Sequence, residues 1–77
     1  MLDGEKIKGL RKGAGLSLRD VADRAWSEHG VSLSHETVRK VEEWITLDLL
    51  SSQVTALAGV LNVGASDIHK LEPVRVA

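Results

Sequence analysis

Hydrophobic positions along this chain recur at spacings of three and four. Strand-like alternation is confined to a short Val74-Arg75-Val76, so the pattern predicts helices almost throughout. The first segment runs from about Gly4 to Ala14. Ile7, Leu10 and Ala14 share one face, while Lys6, Lys8, Arg11 and Lys12 occupy the others. Gly13 and Gly15 flank its end, where glycine accepts the left-handed cap conformation. The second segment starts at Ser17, whose hydroxyl can accept from a free backbone N–H, with Asp20 as the acidic half of a capping box. Leu18, Val21, Ala22 and Ala25 form its apolar face. It continues through Trp26 to about Glu28, and His29-Gly30 stop it.

The third segment follows Ser32 or Ser34, either of which can cap it. Thr37, Val38, Val41 and Trp44 form its inner stripe, leaving His35, Glu36, Arg39 and Lys40 outside. The fourth is capped by Ser51 or Ser52. Its stripe of Val54, Leu57, Ala58 and Leu61 is the clearest helical signature in the chain. Asn62-Val63-Gly64 end it. A short fifth helix is capped by Ser66, carries Asp67 at its positive end, turns Ile68 and Leu71 inward, and stops at Pro73. The expected fold class is all-α, with five helices.

Seventy-seven residues suit one domain with a modest core. There is no cysteine, which excludes disulfides and cysteine-bound zinc. His29, His35 and His69 lack metal spacing, no nucleophile–base pair stands out, and no glycine-rich loop has phosphate-binding form. Neither an enzyme nor a cofactor is expected. No apolar run has membrane-helix length, and Met1–Leu10 lacks an apolar signal region, so the expected location is the cytoplasm. The net charge of -1 does not point to nucleic acid. Its distribution says more: residues 4–40 carry eight Lys or Arg against five acids, and residues 41–77 two against five. The basic half suits an anionic partner, or the split is a chance fluctuation.

Segments two and three carry the functional reading. A capped helix with small apolar residues leads through a glycine-containing turn to a short helix with a polar start. A helix-turn-helix needs this order, because its second helix enters the major groove by its first turn. Ala22 and Ala25 allow close helix crossing.

GEKIKGLRKGAGLSLRDVADRA at 4–25, TVRKVE at 37–42 and VTALAGVLNVGASDIHKL at 54–71 together resemble the Cro and lambda-repressor-like helix-turn-helix family, over roughly residues 4–71. The resemblance implies a compact five-helix domain at 1–71, with helices two and three as the helix-turn-helix, that binds double-stranded operator DNA, commonly as a homodimer. Residues 72–77 would be a tail, disordered or paired as a strand across the dimer axis. Three departures from the family pattern are visible. Leu18 stands where the family often carries glutamine, which shifts the expected phosphate contact to Arg19. The stretch from Trp26 to Ser34 exceeds the usual tight turn, so helix two is longer or the loop bulges. Trp44 replaces the glycine that often ends the recognition helix.

The DNA-facing residues expected on this basis are Ser17, Arg19, Ser34, His35, Glu36, Thr37, Arg39, Lys40 and Thr46. His35 suits guanine or a phosphate, and Glu36 a cytosine amino group, although an acid in a first turn also simply favours the helix end. Arg39 and Lys40 are expected to meet DNA. Their alternative is a solvated face paired with Glu36, Glu42 or Glu43. Trp26 and Trp44 are expected in the core or at a shielded rim, with an interface as the alternative. The expected function is a sequence-specific transcriptional regulator that represses by occupying its operator, resembling a Cro-like phage regulator or a small-operon regulator. The alternative is a protein-interaction module on the same fold, such as an antitoxin or a host-factor binder.

Overall fold

Each of the first three helices begins where a short polar side chain accepts a backbone N–H that the helix itself leaves free. The computed structural model describes residues 1–46 and 48–69. Helix α1 (Gly4–Gly13) is capped by Asp3, whose Oδ1 accepts from the Lys6 N–H at 3.1 Å. Helix α2 (Leu18–His29) has the reciprocal box: Ser17 Oγ accepts from the Asp20 N–H at 3.1 Å, and Asp20 Oδ2 accepts from the Ser17 N–H at 2.9 Å. Helix α3 (His35–Glu42) takes Ser34 rather than Ser32 as its cap, with Ser34 Oγ accepting from the Thr37 N–H at 3.1 Å. The extra length between the second and third segments goes largely into α2, which reaches His29. Gly30 then closes it at φ 63°, a left-handed conformation that costs glycine little.

Two caps differ from expectation. Helix α4 (Ser51–Val60) contains Ser51 within its first turn, and Leu50 holds the cap position. Leu50 has no side-chain acceptor for the first-turn N–H groups; Gln53 makes the reverse contact, its Oε1 accepting the Leu50 N–H at 3.1 Å. A cap needs extended backbone at the position before the helix, and Leu50 has it, at φ -61° and ψ 150°. The fifth segment is a single 3-10 turn, Ala65–Ile68, rather than an α-helix. Ser66 lies inside this turn. Asp67 Oδ2 accepts the Gly64 N–H at 2.9 Å and so caps it from within. His69 is extended and forms an isolated antiparallel bridge with Leu2, beside an Asp3 N–H bond to the Ile68 carbonyl at 2.8 Å. Among the described residues the chain is all-helical, with four α-helices and no strand. None of them is long and apolar enough to cross a membrane. Leu47, Leu71 and the tail at 72–77 lie outside the described residues.

Helix α4 is central. Val54, Ala56, Leu57, Ala58 and Val60 are all buried, a wider apolar face than the four-residue stripe required. It packs against α2 and the 3-10 turn, while α3 packs against both α1 and α2. Ile7, Val21, Ala25, Val38, Val41, Leu61 and Ile68 complete the core around Leu57. Leu2, which precedes the first helical pattern, is also fully buried, because the bridge to His69 brings residues 2–3 over the core.

Three sequence assignments are corrected. Ala14 caps α1 at its C-terminus and is exposed rather than inward. Trp26 is not shielded: it is 66% exposed, because Val21 and Ala25 turn α2 inward and leave it on the opposite side. Trp44 lies beyond the end of α3, outside its inner stripe, at φ 62° and 38% exposed. A side chain with a Cβ in this conformation carries a strain of about 1 kcal/mol.

Candidate nucleic-acid interface

Helix α3 has a moderate length, eight residues, and a sharp division of faces. Val38 and Val41 are buried against α1 and α2. Glu42 is buried beside them, and the other positions turn a mixed polar surface outward, where Glu36, Lys40 and Glu43 are exposed and His35, Thr37 and Arg39 are half-buried. At its start the hydroxyls of Ser34 and Thr37 lie 2.8 Å apart, so both are engaged by each other and by the cap.

Arg39 is shared between two carboxylates. Its Nη2 donates to Glu36 Oε2 at 3.0 Å and its Nε to Glu36 Oε1 at 3.2 Å, while Nη1 donates to Glu43 Oε2. These bonds raise the guanidinium's affinity for its proton still further above its ordinary value. In return, the Arg39 hydrogen bonds hold the Glu36 carboxyl below the usual carboxylate range. All three side chains are more than a third exposed, so the stabilisation from each pair is small. The local consequence is one of charge. Across the outer face of α3, Glu36 and Glu43 offset Arg39 and Lys40.

The other expected contacts are placed as follows. Arg19 and Lys40 are exposed, and among the described residues neither has a carboxylate within ion-pair distance. Ser17 is exposed and occupied in the cap of α2, where its N–H and hydroxyl hold the Asp20 carboxyl below its ordinary value. Thr46 is half-buried in the segment after α3. Its N–H and that of Ile45 share the Lys40 carbonyl, at 3.1 and 2.8 Å. His35, Glu36, Thr37, Arg39 and Lys40 therefore share the outward side of α3 behind its Ser34 cap, and Ser17 and Arg19 lie at the start of the neighbouring helix.

Arg11, one of the cations of the basic half, is withdrawn from any partner. Its Nε and Nη2 bond both oxygens of Glu42, at 2.7 and 3.0 Å, and its Nη1 bonds the Leu16 carbonyl at 2.9 Å. The Glu42 hydrogen bond, outweighing burial, raises the Arg11 pKa above its ordinary value. The pairing of Arg39 with Glu43 carries a legible signal, since residues four apart share a helix face. That of Arg11 with Glu42 does not, because 31 residues separate them.

This surface offers hydrogen-bonding groups and charge. Among the described residues no three His, Asp or Glu side chains are gathered as metal ligands. No family model matches the chain, and no curated protein matches it significantly.

Proposed function

We propose that the chain is a sequence-specific DNA-binding regulator, acting in the cytoplasm, in which α2 and α3 form a helix-turn-helix. One observation carries this reading. Helix α3 is anchored by Val38 and Val41 on one side and leaves its first turn, with His35 and Glu36, and its cations Arg39 and Lys40 on the surface. A helix so anchored can enter the major groove by its N-terminal turn, where base edges present donors and acceptors. Lys40 and Arg19 then meet phosphates, and His35 and Glu36 meet bases. Occupancy of the operator blocks transcription without any catalysis. One small domain touches few base pairs, so useful specificity calls for two copies about 34 Å apart, on successive turns of the duplex.

The test is a titration at low salt, first with random duplex and then with sites selected from a random pool. The reading expects salt-dependent binding to the first, tighter binding to the second and two chains per selected site. One chain per site at saturation would remove the dimer, and no binding to either duplex would remove the reading.

A second reading, a protein-interaction module on the same fold, is favoured by a different observation. Trp26, Ile45 and Leu50 are 66%, 63% and 70% exposed, large apolar side chains that a protein partner could cover. Failure of the DNA titration together with loss of a protein partner on Trp26→Ala would support it.

A further inference from the structure

Because DNA carries a dense negative charge, every exposed carboxylate on a groove-facing helix opposes binding unless it finds a donor there. Helix α3 carries two such groups, and both bind its arginine. Glu36 lies in the first turn of α3, where a cytosine N4 amino group could be reached; Glu43 lies just past the helix end, seven residues on, and beyond that first turn. Arg39 stands between them, three residues from one and four from the other.

We infer that Glu36 and Glu43 are specificity-determining residues that keep Arg39 off the phosphates until Glu36 is drawn away by a cytosine amino group. On DNA without cytosine at the contacted position, Glu36 keeps its bond to Arg39. The guanidinium stays neutralised, and with Lys40 counted beside Arg39, Glu36 and Glu43 these four side chains carry no net charge. On DNA with cytosine there, the Glu36 carboxylate accepts from the base. Arg39 loses two of its hydrogen bonds, retains only Glu43, and can swing to a phosphate. Base reading by one residue thus recruits backbone binding by another. The inference rests on the DNA-binding reading above and deepens it.

The variants Glu36→Gln, Glu43→Gln and Arg39→Ala, together with the parent chain, are titrated against a site selected with the parent and against an unrelated duplex, across a salt series. Thermal melts establish that each variant is folded. Glu43→Gln, which releases Arg39 fully once Glu36 has moved to the base, is expected to tighten the selected duplex severalfold and to change the unrelated one, where Glu36 still holds Arg39, much less. Glu36→Gln is expected to tighten the unrelated duplex but not the selected one, narrowing their ratio on the order of tenfold. Arg39→Ala is expected to weaken the selected site and to abolish the effect of adding Glu43→Gln. Weakening by Arg39→Ala with no response to either glutamine would overturn the inference while sparing DNA binding. A parent chain that binds neither duplex would instead remove the DNA reading, and this inference with it.

Discussion

Arg11 and Glu42 form a bidentate ion pair, with Nε–Oε2 at 2.7 Å and Nη2–Oε1 at 3.0 Å, that ties α1 to the end of α3. Their side chains are only 11% and 5% exposed, so both charges are largely withdrawn from water and each depends on the other. The remaining Arg11 donor on the Leu16 carbonyl extends the tie to the connection between α1 and α2. Glu42→Ala would leave a nearly buried guanidinium without its counterion and is expected to destabilise the fold by about 3 kcal/mol. A double variant, Arg11→Met with Glu42→Leu, should recover much of that loss, because no charge is then left unpaired. Chemical denaturation of the single and double variants checks both statements.

The glycines of α1 divide into two kinds. A Cβ on Gly4 would lie 2.3 Å from the Val41 carbonyl oxygen and 2.9 Å from that of Glu42. Those are backbone atoms, so Gly4→Ala must push α1 away from α3, at a cost of about 2 kcal/mol. Gly9 has no atom within 4 Å of the same added carbon and sits mid-helix. Gly9→Ala should therefore stabilise the chain by about 0.5–1 kcal/mol, through helix propensity and a less flexible unfolded chain. Melting curves that shift in the same direction for both variants would contradict this packing of α1.

Leu57 is fully buried at the centre of α4. Leu57→Ala is expected to cost roughly 2–4 kcal/mol, from lost burial and the cavity left behind. In a domain of this size that is a large share of the total. A melting temperature within a degree or two of the parent's would show that α4 is not central.

Asp20 gives the fold a defined response to acid. Its carboxyl is held below the ordinary value, chiefly by the Ser17 N–H, so the charged form is favoured in the folded state. That contribution is complete above the ordinary carboxylate range, near pH 4, and is lost as pH falls through the lower folded value. The melting temperatures of the parent and of Asp20→Ala should therefore differ most near neutrality and converge in acid. A gap that stays constant down to pH 3 would remove the capping box as its cause.

Lys40 should be the cleanest reporter of DNA contact, since no carboxylate among the described residues lies within ion-pair distance of it. Lys40→Ala is expected to weaken binding about equally across sequences and to lower the salt slope by about one, with the melting temperature unchanged. A loss confined to one base position would instead make Lys40 a base contact.

Much of the architecture was legible before any coordinates, and the reason is distance along the chain. The cap at Ser17, the stop at Gly30 and the apolar stripes of α2 and α4 depend on residues within a turn or two of each other. Backbone hydrogen-bonding needs and helical periodicity act on that scale, so residue type and spacing determined them. The choice of Ser34 over Ser32 and the end of α3 before Trp44 did not follow from spacing. The exposure of Arg39 and its choice among nearby acids were half legible. Spacing allowed Glu36, Glu42 or Glu43, and only the fold removed Glu42 by giving it to Arg11. Tertiary structure alone decided the burial of Leu2 beneath its bridge to His69, the close approach of Gly4 to α3 and the outward turn of Trp26. Each of these depends on which distant surface arrives opposite a residue. The chain's pattern states that a face is apolar or a side chain charged; close packing of the whole domain decides what that face or charge will meet.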